Sequence, residues 1–136
     1  MSIRELFLVA SGGAVGSALR YAVSGAAQRL FASGVGSVAS FPAGTLVVNV
    51  TGSLLIGLVA GLAESRALLS AEARLLLVTG VLGGYTTFSA FSLETLLLLR
   101  AGQTTTALTS VALQVLLGVA AALAGFTVGM VAGRAA

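Results

Sequence analysis

Three long runs without charge constrain this chain more than any other feature of its sequence. No charged residue occurs in residues 30–63, 75–93 or 101–133. A membrane-spanning helix needs about 20 predominantly apolar residues, and 57% of the chain is hydrophobic while only 8% is charged. About a quarter of the residues in a soluble domain are normally charged. The sequence therefore predicts an integral membrane protein and excludes an ordinary soluble globule.

The apolar stretches predict an all-α fold, with one domain over residues 1–136 that contains four membrane-spanning helices. The approximate bounds of these helices are residues 4–31, 41–63, 71–99 and 104–132. Gly/Ser-rich and polar connectors precede the second and third helices. Pro42 suits the start of the second helix, Ser70 is placed to cap the third, and Gly102 indicates a tight turn before the fourth. A cleavable signal peptide over residues 1–25 is the alternative for the first helix, but three further spans favour a retained helix.

The missing residue types exclude most enzyme chemistry. The chain has no His, Cys, Lys or Asp. Histidine acid–base catalysis, thiolate catalysis, Cys/His zinc sites and a Walker lysine are therefore impossible, and we expect no enzyme. The formal net charge is +3, but the arginines are scattered singly, whereas nucleic-acid-binding proteins cluster their basic residues. We expect no nucleic-acid partner.

The arginines give only a weak preference for one orientation in the membrane. Four spans place both termini on the same side. The arginines on that side are Arg4, Arg66, Arg74 and Arg134, and those on the other side are Arg29 and Arg100. Positive charge in short loops normally decides orientation, so this weak bias permits insertion in both directions and an antiparallel, dual-topology dimer.

Glycine pairs spaced four residues apart occur in all four predicted helices. The chain has 18 glycines, about twice the usual share. The pairs are Gly12/Gly16, Gly57/Gly61, Gly80/Gly84, Gly125/Gly129 and Gly129/Gly133. Small residues at this spacing allow helix backbones to approach closely in lipid. The pairs predict a tightly packed bundle or oligomer.

Several polar side chains fall where a span should be apolar, which is costly and usually marks function. Arg20 lies on a face of the first helix rich in glycine and serine, and Thr45 and Asn49 share a face of the second. Arg20 either reaches to the interface or places a positive charge inside the bundle. Asn49 either bonds neighbouring helices or donates N–H groups to an anion. On the fourth helix, Ser110 and Gln114 share a face and either extend a polar track or pack as polar residues.

The third span combines a break signal with a mixed stripe of aromatic and hydroxyl side chains. Adjacent glycines and β-branched threonines in residues 83–87 make a poor helix interior. They predict a helix broken in mid-span, whose exposed backbone groups suit an ion. Beyond the break, Phe88, Phe91, Ser92 and Thr95 share one face. Hydroxyl donors and the positive edges of aromatic rings suit a small, partly dehydrated anion.

These motifs resemble those of the Fluc/CrcB fluoride channel family. The segments that carry the resemblance are Gly12-Gly13 through Arg20-Tyr21, Gly44 to Asn49 with Gly52-Ser53, and the sequence GGYTTFSAF at residues 83–91. The third motif is quite specific, and the resemblance covers essentially the whole chain in length, span count and motif order. It implies an antiparallel homodimer with two pores in the inner membrane of a microbe. It also implies passive, selective export of fluoride from the cytoplasm.

The resemblance also assigns roles to individual residues. The anion pathway that it implies contains Asn49, Phe88 and Phe91, with Ser89 and Ser92 in a polar track, and Arg20 matches the arginine of the family's first helix. Thr45 and Ser110 are further candidates for this pathway. The backbone carbonyls of Gly83 and Thr86 match the positions that hold a structural sodium ion at the dimer axis.

Two other functions remain open on the sequence alone. A small dual-topology exporter driven by protons needs a carboxylate inside the membrane, and Glu94 is the sole candidate. A non-conducting anchor subunit would explain the glycine pairs. It would not explain Asn49 or the aromatic and hydroxyl stripe of the third span.

Overall fold

The computed structural model describes residues 2–33, 41–66 and 70–135, and almost all of them are helical. The first helix is Ile3–Ala32, the second is Ala43–Arg66 and the fourth is Thr104–Ala135, while the third span covers Ala71–Arg100 in several pieces. All four are long and apolar enough to cross a membrane. The four predicted spans are confirmed, with ends within three residues of the predicted bounds. The two predicted connectors fall largely on residues 34–40 and 67–69, outside the described residues.

Local sequence explains where three of these helices begin. Pro42 immediately precedes the second helix, whose interior it would disrupt. The Ser70 hydroxyl accepts a hydrogen bond from the N–H of Ala73 at 3.1 Å and caps the third span as predicted. Gly102 has a φ of +73° in the turn before the fourth helix, a conformation that glycine adopts without steric cost.

The third span is broken in its middle, at the threonines of the predicted motif. It is α-helical over Ala71–Arg74, π-helical over Leu75–Leu82 and α-helical again over Gly83–Tyr85. Thr86 and Thr87 are then extended, with ψ angles of 158° and 117°. A new helix runs over Phe88–Arg100. We call the parts before and after Thr86 and Thr87 the leading half and the trailing half of the third span.

The glycines next to the break are helical, and Gly84 is required there because of packing. A side-chain carbon at Gly84 would lie 2.6 Å from the carbonyl oxygen of Gly13 on the first helix. Thr87 begins the trailing half because its hydroxyl accepts a hydrogen bond from the N–H of Ala90 at 3.2 Å. The conformation therefore changes at the β-branched residues, which favour extended backbone.

The glycine pairs pack the helices of one chain against each other. Gly12 and Gly16 of the first helix lie against the backbone of the leading half. Gly80 and Gly84 of that half lie in turn against the backbone of the first helix. The first helix thus packs its glycine-rich face against the third span.

The second and fourth helices make the most extensive contact in the described structure. Gly57 and Gly61 face the carbonyls of Ala122 and Phe126, and Gly125 and Gly129 face the carbonyls of Leu54 and Leu58. These glycine pairs therefore make contacts within one chain. The sequence alone had left open whether the pairs pack a bundle or an oligomer.

The space around the glycines leads to a stability prediction. Gly125→Ala would drive a methyl group into the carbonyl of Leu54, whereas the same change at Gly118 meets only the Ser53 hydroxyl at 3.6 Å. We expect Gly125→Ala to lower the free energy of unfolding in detergent by about 1–3 kcal/mol. Gly118→Ala, on the same helix, should leave it unchanged or slightly raised. Equal stability of the two variants would contradict this packing.

Candidate functional site

The break in the third span is held open by the side chain of Asn49. Its Oδ1 accepts a hydrogen bond from the backbone N–H of Thr87 at 2.9 Å, and its Nδ2 donates to the Thr87 carbonyl at 3.1 Å. Nδ2 also donates to Oε1 of Gln114 at 2.8 Å. Asn49 thereby pairs with the extended backbone of Thr87 much as a neighbouring strand would, and joins three helical segments at one point.

This pairing and the cap made by the Thr87 hydroxyl release two backbone carbonyls from their helical partners. In a continuous α-helix, the N–H of residue i+4 bonds to the carbonyl of residue i. The N–H of Thr87 would bond to Gly83 but is held by Asn49, and the N–H of Ala90 would bond to Thr86 but is held by the Thr87 hydroxyl. The carbonyls of Gly83 and Thr86 are therefore available to another partner.

The donor set at the break fits a small hard cation. Carbonyl oxygens are suitable ligands for such ions, and Gly83 is exposed on the surface of the chain. In the described part of the chain, no group of three or more His, Cys, Asp or Glu side chains could hold a metal. The released backbone carbonyls of Gly83 and Thr86 are oxygens that this region can offer to a cation.

A second polar contact lies one turn before Asn49 on the second helix. The Thr45 hydroxyl donates to Oε1 of Glu94 at 2.6 Å, which ties the second helix to the trailing half. A cavity of about 590 Å³ borders this pair, and Tyr21, Ser24 and Gln28 also line it. This pair therefore forms part of the wall of a concave surface.

The fourth helix contributes Ser110 and Gln114, which are both buried. Asn49 contacts Gln114, and Gly57 contacts Ala122 eight residues further along each helix. The same register places Ser110 level with Thr45. We call these five side chains the polar row: Thr45, Asn49, Glu94, Ser110 and Gln114.

The polar row contains the buried side-chain atoms that have no hydrogen-bond partner in the described structure. They are Oε2 of Glu94, Oγ of Ser110 and Nε2 of Gln114. Burying a polar group without a partner is costly, and each such group in a native protein needs an explanation. A polar species that enters the row would supply the missing partners.

The aromatic residues of the third span lie beside the break. The rings of Phe88 and Phe91 are 5.5 Å apart between centroids and tilted by 53°. Phe88 is 77% exposed on the single chain. It shares a cavity of about 330 Å³ with Asn49 and Thr86. The structure therefore brings Phe88 and Asn49, both predicted for the pathway, to one cavity.

The serine and threonine hydroxyls of the trailing half bond to their own helix. Ser92 donates to the carbonyl of Phe88 at 2.9 Å, and Thr95 donates to the carbonyl of Phe91 at 2.8 Å. Ser89 Oγ lies 3.3 Å from the Thr87 hydroxyl. Because a hydroxyl has one hydrogen, Ser92 and Thr95 present lone pairs, not donors, to their surroundings.

Arg20 stands outside this network. It is half-buried on the first helix, next to Tyr21 of the larger cavity. In the described part of the chain it makes no hydrogen bond or ion pair with the polar row.

The sequence assigns no role to Tyr85, which makes a contact across the bundle. The hydroxyl of Tyr85 lies 2.9 Å from the Thr51 hydroxyl, which itself donates to the carbonyl of Val47 at 2.7 Å. Tyr85 is therefore the donor, and its buried ring anchors the end of the leading half on the second helix. A tyrosine inside an apolar span was the available signal, because a buried phenol usually has a polar partner.

Comparison with known proteins identifies the family. The family model described as CrcB-like protein, Camphor Resistance (CrcB), matches residues 7–126. Three similar proteins are named fluoride-specific ion channel FluC. The one from Maridesulfovibrio salexigens is 44% identical over 93% of this chain and 96% of its own length. The one from Rhizobium etli is 47% identical over 91% and 94%, and that from Hyphomonas neptunium is 50% identical over 87% and 89%. The chain therefore belongs to the CrcB family, a family of ion channels and not of enzymes.

Proposed function

We propose that this protein is a fluoride-selective channel through which fluoride leaves the cytoplasm passively. The names of its relatives support fluoride as the ion. The structural observation that carries the proposal is the polar row, with three buried polar atoms left without partners. Polar groups at membrane depth are costly and mark the routes of ions and polar substrates. A passing anion would accept hydrogen bonds from Oγ of Ser110 and Nε2 of Gln114, the two of these atoms that can donate.

Selectivity follows in this proposal from the chemistry beside the break. The route passes Asn49, Phe88 and Phe91, with Ser89 and Ser92 on the trailing half and Arg20 as a source of positive potential. A small anion holds its hydration water strongly, so it needs in exchange the positive edges of aromatic rings and close donors, which Ser110 and Gln114 of the polar row can supply. A larger anion such as chloride gains less from the same narrow set of contacts.

We further propose an antiparallel homodimer in the inner membrane, with two pores that are each lined by both copies. Phe88 is 77% exposed on one chain although it lies beside the polar row, and a second copy would cover it. The weak arginine bias permits both orientations. The family membership and the four apolar helices support a multi-pass membrane protein.

A structural sodium ion at the centre of that dimer completes the proposal. The released carbonyls of Gly83 and Thr86, taken from two copies, would supply four neutral oxygens. When bound, the ion supplies a fixed positive charge that favours anions nearby. The part played by this chain is to keep those carbonyls free, because Asn49 holds the N–H of Thr87 and the Thr87 hydroxyl holds the N–H of Ala90.

Fluoride efflux from liposomes is the test of the proposed function. We expect the purified protein to pass fluoride and exclude chloride. Phe88→Ile should lower fluoride efflux by more than about tenfold because it removes the aromatic edge. Phe7→Ile is the matched control, since Phe7 is 74% exposed on the first helix and lies outside the site.

Other outcomes of this assay would contradict the proposal. Equal efflux of fluoride and chloride would remove selectivity, and no efflux would favour the anchor subunit. Efflux that requires a proton gradient would favour an exporter that uses Glu94, whose Oε2 is buried without a partner.

Cysteine labelling tests the dual topology, because the chain has no native cysteine. Gln103 lies in the exposed turn before the fourth helix, and Ser2 is exposed at the other end of the bundle. We expect an impermeant thiol reagent outside intact cells to label about half of the chains in both Gln103→Cys and Ser2→Cys, given the weak orientation bias. Full labelling of one variant and none of the other would show a single orientation.

Thermal unfolding tests the sodium ion. A ligand that binds only the folded state stabilises it by about 1.4 kcal/mol for each tenfold excess over its Kd. We therefore expect sodium to raise the unfolding midpoint saturably, compared with N-methyl-D-glucamine at equal ionic strength. Asn49→Leu should remove this response, because Thr87 is then free to bond with Gly83. Thr127→Val, which removes an exposed hydroxyl of the fourth helix, should retain it.

A further inference from the structure

We propose that Tyr85 is a positioning residue for the cation site at the break. Its hydrogen bond to Thr51 on the second helix holds the two released carbonyls in place before the ion binds. Those carbonyls belong to Gly83 and Thr86, so Tyr85 lies within the short segment that carries both of them. This inference rests on the proposed sodium ion and adds to it a side chain that is not one of the ligands.

The released carbonyls lie where the helical hydrogen bonds of the leading half stop. The N–H of Thr86 still bonds to the carbonyl of Leu82 at 3.0 Å, but the backbone of Thr86 is extended, with a ψ of 158°. In a continuous helix, a hydrogen bond from the following turn holds each carbonyl. The carbonyls of Gly83 and Thr86 have lost that bond. Their position therefore depends on contacts that the side chains of this segment make with other helices.

Tyr85 makes the directional contact of this kind. Its hydroxyl lies 2.9 Å from the hydroxyl of Thr51, and Thr51 donates its own hydrogen to the carbonyl of Val47 at 2.7 Å. Because a hydroxyl has one hydrogen, the phenol is the donor in the first bond. The two bonds form a chain from the end of the leading half to the backbone of the second helix. Tyr85 is only 8% exposed, so water does not readily replace this partner.

Glycines of two helices leave the space that Tyr85 fills. A side-chain carbon at Gly52 of the second helix would collide with the methyl group of Thr86 and lie 3.3 Å from Cδ1 of Tyr85. A side-chain carbon at Gly16 of the first helix would lie 2.8 Å from the backbone nitrogen of Tyr85. The segment is thus enclosed from both sides. Packing is not directional, so the bond to Thr51 is the contact that fixes how the segment is turned.

A fixed segment binds an ion more tightly than a mobile one. When only a fraction of the molecules holds the ligands in the binding arrangement, the apparent Kd rises by the inverse of that fraction. Loss of the bond between Tyr85 and Thr51 lets the end of the leading half move and lowers that fraction. A contact that only stabilises the fold, equally with and without the ion, would leave the Kd unchanged. The Kd for sodium therefore separates a positioning role from a merely structural one.

Sodium titrations of matched variants test the inference. The unfolding midpoint in detergent is measured against sodium concentration, with N-methyl-D-glucamine keeping the ionic strength constant, and its dependence on sodium yields the Kd. Tyr85→Phe keeps the ring and removes the hydroxyl. We expect it to raise the Kd by about three- to tenfold, as for the loss of one neutral hydrogen bond. Tyr21→Phe, the matched control at a tyrosine that is 86% exposed, should leave the Kd unchanged.

The acceptor of the bond gives a second variant. Thr51→Val preserves the shape of an exposed side chain and leaves the phenol of Tyr85 without its acceptor, so the Kd should rise by at least as much. The double variant should raise the Kd by less than the product of the two single effects, because both remove the same bond. Thr127→Val, which removes a hydroxyl bonded to its own helix, is the matched control and should leave the Kd unchanged.

Tyrosine fluorescence gives a readout that does not depend on unfolding. The chain has two tyrosines and no tryptophan, so Tyr85 is the sole fluorophore in the Tyr21→Phe background. We expect sodium to change its emission saturably at the Kd found from unfolding. Adding Thr51→Val in this background should move the midpoint of that titration by at least about three- to tenfold.

The outcomes separate this inference from the proposals on which it rests. An unchanged sodium Kd in Tyr85→Phe, even with a lower unfolding midpoint in the absence of sodium, would show a merely structural role and overturn the inference alone. A wild-type protein that does not respond to sodium would overturn the sodium ion and this inference with it. Fluoride efflux, measured separately, decides the channel function.

Discussion

The pairing between the Asn49 side chain and the backbone of Thr87 is the interaction on which the rest of the site depends. It satisfies both backbone groups of a residue that has left the helix, where lipid offers no partner. The same bonds release the carbonyl of Gly83 and orient Gln114. One amide therefore connects the break, the candidate cation site and the free donor of the fourth helix.

Close packing by glycine makes this arrangement possible. Lipid tails are as apolar as the helices, so association depends on close backbone contact and not on hydrophobic burial. Gly57 and Gly125 bring the second and fourth helices together in one register, and that register places Asn49 against Gln114. These glycines lie outside the polar row, yet they determine which of its side chains meet.

Much of this structure can be predicted from the sequence, because a membrane permits few kinds of backbone structure. Uncharged runs of sufficient length have to be helices, and Ser70 and Gly102 lie where capping and turn chemistry place them. The break was predicted from residues 83–87, but its position at the threonines required knowledge of their partners. Gly84 is helical because the first helix packs against it. Tyr85 contacts Thr51 across a distance in sequence that no local pattern encodes.

The sequence by itself determined the membrane environment, the four spans, the broken third helix and the residue types available for an anion. These properties depend on composition and local periodicity. Only the tertiary structure decided which donors remain free, because that depends on partners from other helices. Asn49 has the same two side-chain N–H groups in any fold. In this fold both of them donate hydrogen bonds, one to Thr87 and one to Gln114, whereas Nε2 of Gln114 has no partner in the described structure. A hydrogen-bond donor is available only when the surrounding structure leaves it unused.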